Sequence, residues 1–264
     1  HTNAGGGTGT ESYIYDGTGS GRPNVTAGSA DLRNYIHNQL IADIRAGWKS
    51  TWTDRGVKTA NFGELRELNT IPGTLIELAF HDLAADATEL KHPEFRRLAA
   101  RSIYKGILKF FNNRDGIPLV FLPEQPTNVI AKNTGNNTIQ LSWIAPATGG
   151  INGDAATGYR VYVSTNGKSF KEGIAVNSGT SYTFAGNAQT TYYFKISATN
   201  TGGESFASSI VAARTPASGV TSIPYLIVDA FDRIDAGALI PKVESVALGT
   251  VKRMFLDRMN RYDY

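Results

Sequence analysis

The chain has 264 residues, 41% of them apolar and 10% aromatic, so it can bury substantial cores, and its length suggests about two domains. It contains no cysteine, which excludes a disulfide framework and a thiolate metal site and leaves histidines and carboxylates as the only metal ligands. Its net charge of +3 comes from scattered Lys and Arg with no basic stripe, which argues against a nucleic-acid partner, and no apolar stretch reaches the roughly 20 residues of a membrane span.

In chain order, the Gly-rich opening "NAGGGTGTE" holds no Gly-Lys-Ser/Thr and follows no βαβ pattern, so it reads as a loop beside a cleft rather than a phosphate cradle. "SADLRNYIHNQLIADIRAGW" spaces Leu32, Tyr35, Ile36, Gln39, Leu40 and Ile44 three to four residues apart, which predicts an amphipathic helix. His37 lies on that helix with no acid or His at i+4 and reads as structural. "IPGTLIELAF", residues 71–80, reads as a buried strand of the near-continuous apolar kind found in parallel sheets, with Glu77 set inside it. An uncompensated carboxylate there costs several kcal/mol. Either Glu77 marks where the strand leaves the core, or it is kept for chemistry. His81 reads as a solvated loop residue and His92, before Pro93, as a helix entry. "HPEFRRLAARSIYKGILKFF" places Phe95, Leu98, Ala99, Ile103, Ile107 and Phe110 on one helical face. Residues 1–122 therefore suit an α/β layer domain.

At "IPLVFLPEQPTNV" three prolines mark a linker or a first edge strand. Short alternating strands separated by Gly, Asn, Thr and Ser turns then run to about residue 217. "IQLSW" aligns Ile139, Leu141 and Trp143; "GYRVYVS" aligns Tyr159, Val161 and Val163; "TTYYFKISA" aligns Tyr192, Phe194 and Ile196. This stretch, residues 123–217, resembles a fibronectin type III domain, a β-sandwich, and the resemblance makes Tyr192 its corner tyrosine and Trp143 a core residue. In the last segment, 218–264, "SIPYLIVDAFDRID" predicts a parallel strand and "VESVALGTVKRMFLDRMNRY" a helix. That is too little for an independent core, so the segment reads as the beginning of a truncated α/β domain. Asp229, Asp232 and Asp235 lack the Gly and terminal Glu of an EF-hand loop and read as strand-end acids.

Taken together, "HTNA" at the start, "GTESYIY" after it, and "DRGVKTANFGELRELNTIPGTLIELAF" resemble, in order and spacing, the second half of a zinc-dependent N-acetylmuramoyl-L-alanine amidase of the type-3 family. The resemblance spans residues 1–112. It implies a hydrolase of the amide between the N-acetylmuramic acid lactyl group and L-alanine in peptidoglycan. It makes His1 a Zn2+ ligand and Glu77 the catalytic carboxylate. These residue types suit the work, since neutral imidazole binds zinc and a carboxylate beside metal-bound water can take its proton and return it to the leaving amine.

The family's Gly-His-Gly histidine and its intervening Glu belong upstream of His1, so two further zinc ligands and part of the sheet are expected outside this chain, which also opens without Met. The chain is accordingly expected to be an excerpt or processed form of a longer protein, inactive on its own, unless a second chain completes the sheet. The parent protein is expected to be bacterial and secreted, periplasmic or at the cell surface. The alternative is a non-catalytic surface or adhesion protein that keeps the amidase-like half as scaffold.

Overall fold

The computed structural model describes residues 2, 6–22, 24–217, 239–246 and 249–256, the last two stretches by backbone alone. The chain divides into two compact units, His1–Leu119 and Val120–Tyr264.

The first unit runs β1 (Thr10–Tyr15), α1 (Ser29–Gly47), β2 (Asp54–Ala60), α2 (Gly63–Arg66), β3 (Leu75–Glu77), α3 (Ala84–Lys91) and α4 (Pro93–Asp115). Its described strands form one sheet of order β2-β1-β3, with β2 parallel and β3 antiparallel to β1. The strand containing Glu77 is therefore neither parallel nor long, contrary to the sequence expectation. Pro72 removes a backbone donor and Gly73 lacks a side chain to pack, so pairing starts only at Leu75 and stops at Glu77.

Both predicted helices form. Pro93 stands in the first turn of α4, where its missing N–H costs nothing, and Gly116, at φ 67, closes the helix in the left-handed region. Ile36, Leu40, Ile41 and Ile44 of α1 pack with Phe95 and Ala99 of α4, Trp52 and Ala79. Each such large apolar side chain contributes about 1.5–3 kcal/mol by leaving water. Where the helices approach, Gly106 has no side chain, and a Cβ there would lie 2.5 Å from the Ile36 Cα. Next to it in α4, buried Lys105 places its ammonium 3.1 Å from Asp43, which also accepts a 3.0 Å hydrogen bond from the Ser102 hydroxyl.

The second unit is a sandwich of two antiparallel sheets. β4 (Thr127–Gly135), β5 (Thr138–Ile144) and β8 (Ser181–Ala185) make one sheet. The other holds β6 (Gly158–Ser164), β7 (Ile174–Val176), β9 (Thr191–Asn200), β10 (Gly203–Glu204) and β11 (Val211–Arg214). The alternation read from the sequence is the alternation observed: Ile139, Leu141, Trp143, Tyr159, Val161, Val163, Tyr192, Phe194 and Ile196 all point into one core. Trp143 packs edge-on against Tyr159 with ring centroids 5.1 Å apart, and the Tyr192 hydroxyl accepts a 2.8 Å bond from the Asn187 amide at the corner between β8 and β9.

The helix expected over residues 243–262 is not formed where it is described. Leu239–Val246 (β12) and Gly249–Leu256 (β13) pair instead as an antiparallel hairpin. Val243, Val246, Thr250 and Val251 are β-branched and favour extended backbone, and Gly249 interrupts the helical run at the turn. The strand predicted within residues 222–235, with Asp229, Asp232 and Asp235, lies outside the described residues.

Candidate functional site

Glu77 ends β3, and its directly paired residue on β1 is another acid, Glu11. Directly opposed residues of an antiparallel pair point to the same face with Cβ atoms about 5 Å apart, so the two carboxylates must meet. Both are buried, Glu11 at 3% and Glu77 at 6% relative exposure. Ser12 and Ile14, one residue out of phase, face the helices instead, where the Ser12 hydroxyl lies 3.0 Å from His37 Nδ1.

Two like charges cannot share such a place without compensation, and β2 supplies it. The register of β2 against β1 slips between Thr10 and Ser12, where Gly56 adopts φ 80. This extra residue brings Arg55 and Lys58, three apart in sequence, onto the face of Glu11, where a regular strand would send them to opposite faces. Arg55 Nε donates to Glu11 Oε2 at 2.7 Å, Lys58 Nζ donates to the same oxygen, and the Tyr13 hydroxyl donates to Oε1 at 2.8 Å. The Arg55 guanidinium also lies over the Phe80 ring, 4.9 Å from its centroid.

The consequence is an unequal pair. Burial pushes the Glu77 carboxyl up, and its hydrogen bond with Glu11 and the charge of Glu11 add to this, taking it to about 7. Burial also acts to raise Glu11, but bonds from Lys58, Glu77, Arg55 and Tyr13 outweigh it and hold that group at about 2. Around neutral pH, Glu11 is a fixed anion and Glu77 exchanges a proton.

One buried acid fastens the flanks of both strands. Asp86, in the first turn of α3, accepts the Gly9 amide at 3.0 Å, the Phe80 amide at 3.1 Å and the Thr8 hydroxyl. Gly9 and Thr8 lead into Glu11, and Phe80 follows Glu77, so one carboxylate holds the loops beside each member of the pair.

The other histidines fall where the sequence put them. His37 is buried between Ser12 and Asp54 of β2, 2.9 Å from the Asp54 carboxylate, and is structural; the acid it pairs with comes from a strand rather than from its own helix. His81 lies in an exposed turn, and His92 stands at the entry of α4 with its ring 4.7 Å from that of Trp48. His1, the residue assigned to zinc, lies outside the described residues. Among the described residues no three His, Asp or Glu come together to hold a metal ion, so these residues alone do not make a zinc site. A cavity of about 530 Å³, lined by Arg22, Val25, Asn69 and Thr70 among others, includes neither carboxylate.

Residues 1–109 match the N-acetylmuramoyl-L-alanine amidase family. Residues 124–214 match the fibronectin type III domain, in line with the sandwich. The amidase-like unit is 39% identical over 112 residues to the sporulation-specific N-acetylmuramoyl-L-alanine amidase of Bacillus subtilis, covering 42% of this chain and 38% of that protein. It is also 39% identical over 112 residues to the N-acetylmuramoyl-L-alanine amidase CwlM of Bacillus licheniformis, covering 42% of this chain and 39% of that one. The chain thus spans less than two fifths of the length of either relative. Among solved structures, the N-acetylmuramoyl-L-alanine amidase AmiC2 of Nostoc punctiforme matches at 26% identity and a TM-score of 0.32, over 40% of this chain and 49% of that one. No helix among the described residues is long and apolar enough to cross a membrane.

Sequence reasoning singled out Glu77 and passed over Glu11, Arg55 and Lys58. Glu11 carried only a weaker form of the signal at Glu77, an acid between Thr10 and Ser12 just ahead of the apolar run Tyr13-Ile14-Tyr15.

Proposed function

We propose that the amidase-like unit serves a bacterial, extracellular or periplasmic hydrolase that cleaves the amide between the N-acetylmuramic acid lactyl group and L-alanine of peptidoglycan. Glu77 moves the proton. The observation that supports this reading is a strand acid raised to about 7 by its burial and, beyond that, by a second, charged acid directly opposite. A group titrating near the working pH can both accept and donate a proton within one turnover. Glu77 takes a proton from the attacking water as oxygen bonds to the amide carbon. It then gives that proton to nitrogen as the carbon–nitrogen bond breaks, leaving a carboxylic acid and the free amino group of L-alanine.

In this reading zinc is held by His1 together with donors outside these 264 residues. When bound, it supplies a water already acidified for attack. The sandwich acts as a spacer or as a contact with the wall, since its fold alone assigns it no chemistry and its Trp143 is taken up by the core.

The test is zinc content and muropeptide hydrolysis by the full-length protein, beside Glu77→Gln. About one zinc per chain and release of stem peptides, with hydrolysis reduced roughly 100-fold or more in the variant, is the expected result. Equal hydrolysis by both proteins would remove Glu77 from the chemistry. The absence of hydrolysis and of zinc in the unaltered protein would favour the scaffold role.

A further inference from the structure

Glu11 enters the chemistry just described only as a charge opposite Glu77, yet it is built in with more care than Glu77. Three donors from two strands converge on its two oxygens, and a bulge in β2 is needed to bring two of them there. A buried carboxylate whose only role was structural would be satisfied without facing a second acid, which costs stability. Among the described residues, the charged and titratable groups gathered round Glu77 are Glu11 and Tyr13 on β1 and Arg55 and Lys58 on β2, and the positive charge of the amino terminus acts on it to lower its pKa.

We propose that Glu11 is a positioning residue that holds the transferred proton on Glu77: its carboxylate, pinned by Arg55, Lys58 and Tyr13, is a fixed anion accepting the hydrogen bond of protonated Glu77. This rests on the role of Glu77 given above. Glu11 itself touches no reacting atom. When Glu77 has taken a proton from water, that proton is stabilised against the anion of Glu11 until it passes to the leaving nitrogen. With Glu11 neutral, only burial would raise Glu77, which would then be a weaker base and accept the proton less readily. Arg55 and Lys58 ensure that Glu11, not Glu77, is the member that stays charged.

The sign of two substitutions tests this. In zinc-free full-length protein carrying carboxyl-labelled glutamate, the Glu77 signal is followed by carbon NMR across pH and assigned with Glu77→Gln. Glu11→Gln is expected to lower the Glu77 midpoint by about one pH unit or more, and Glu11→Asp, which keeps the charge, to restore much of it. Lys58→Met removes a half-exposed cation that favours ionised Glu77 and is expected to move the midpoint upward; it also serves where Glu11→Gln fails to fold. In the loaded enzyme, Glu11→Gln is expected to shift the acid limb of the kcat/KM profile in the same direction as the midpoint, and to lower kcat at neutral pH about tenfold with little change in KM.

An unmoved Glu77 midpoint in folded Glu11→Gln, or a downward shift in Lys58→Met, would overturn the assignment. Failure of the amidase reading is distinguishable. In that case the unaltered protein itself shows no hydrolysis, or Glu77→Gln leaves hydrolysis intact if only the role of Glu77 fails, while the Glu77 midpoint still moves in Glu11→Gln.

Discussion

Replacing Gly106 by Ala separates two arguments that predict opposite signs. In an exposed helix interior this change stabilises by about 1 kcal/mol, because Gly gives up more backbone freedom on folding. In α4, the added Cβ would lie 2.5 Å from Ile36 Cα, 3.0 Å from Ile36 N and 3.0 Å from Tyr35 O, all backbone atoms of α1. Carbon atoms pack best at about 3.5–4.0 Å, so the helices must part by about 1 Å or distort. Backbone cannot yield by changing rotamer, which places the overpacking cost near the upper end of its usual range, about 3 kcal/mol. Parting the helices also loosens Leu40, Ile44 and Phe95, which are fully buried between them. Subtracting the propensity gain leaves a net loss of about 2 kcal/mol. Hydrogen exchange read on peptides from α1 and α4 reports this unit separately from the sandwich, and its most protected amides are expected to lose protection by roughly 30-fold. Equal or greater protection in Gly106→Ala would show that the helices are not held as close as described and would refute the packing argument.

Two further outcomes concern buried charge. Lys105→Met strands the Asp43 carboxylate between the helices, with only the Ser102 hydroxyl and its remaining neighbours to solvate it, and is expected to cost about 3–5 kcal/mol. Asp43→Leu combined with Lys105→Met is expected to recover most of that in a urea titration, and a double variant as unstable as the single one would exclude ion-pair loss as the cause. The Glu11–Glu77 pair makes stability depend on pH on both sides of a maximum. Glu11, held at about 2 against an ordinary 4.5, contributes stability above its unfolded value that is lost as pH falls toward 2. Glu77, raised from 4.5 to about 7, contributes stability below its unfolded value that is lost as pH rises toward 7. The pair's contribution therefore peaks near the ordinary glutamate value. Comparing urea midpoints of the protein and its Glu11→Gln, Glu77→Gln double variant across that range isolates the contribution, and a difference independent of pH would contradict the unequal pair.

What could be read from the sequence follows from which interactions are local. The sandwich strands were legible because alternation reports burial directly, and Ile139, Leu141 and Trp143 lie on the face assigned to them. The helical faces were legible only in their apolar part. Asp43, Ser102, Lys105 and Gly106 also belong to the buried seam, but a pattern that counts apolar residues passes over a polar pair satisfied across two helices. The hairpin of β12 and β13 was missed because a near-helical spacing of apolar residues was weighed above β-branching and the Gly at the turn.

At the candidate site, Glu77 was singled out because an acid in an apolar strand demands an explanation. Its partner was not found, because which strand lies beside which, and in what register, is a matter of tertiary pairing. The approach of Arg55 and Lys58 was less accessible still, since it depends on one extra residue in β2 that local spacing argues against.

The triple hydrogen bonding of Asp86 has a dynamic consequence. The amides of Gly9 and Phe80 share a single acceptor group, so neither loop can open fully while the other keeps Asp86 in place. The leads into Glu11 and out of Glu77 should thus loosen as one cooperative unit, and a thermal fluctuation that frees one carboxylate frees both. The pair is either assembled or absent, and half-formed arrangements that would place a lone charge in the strand are kept rare by a residue that touches neither carboxylate.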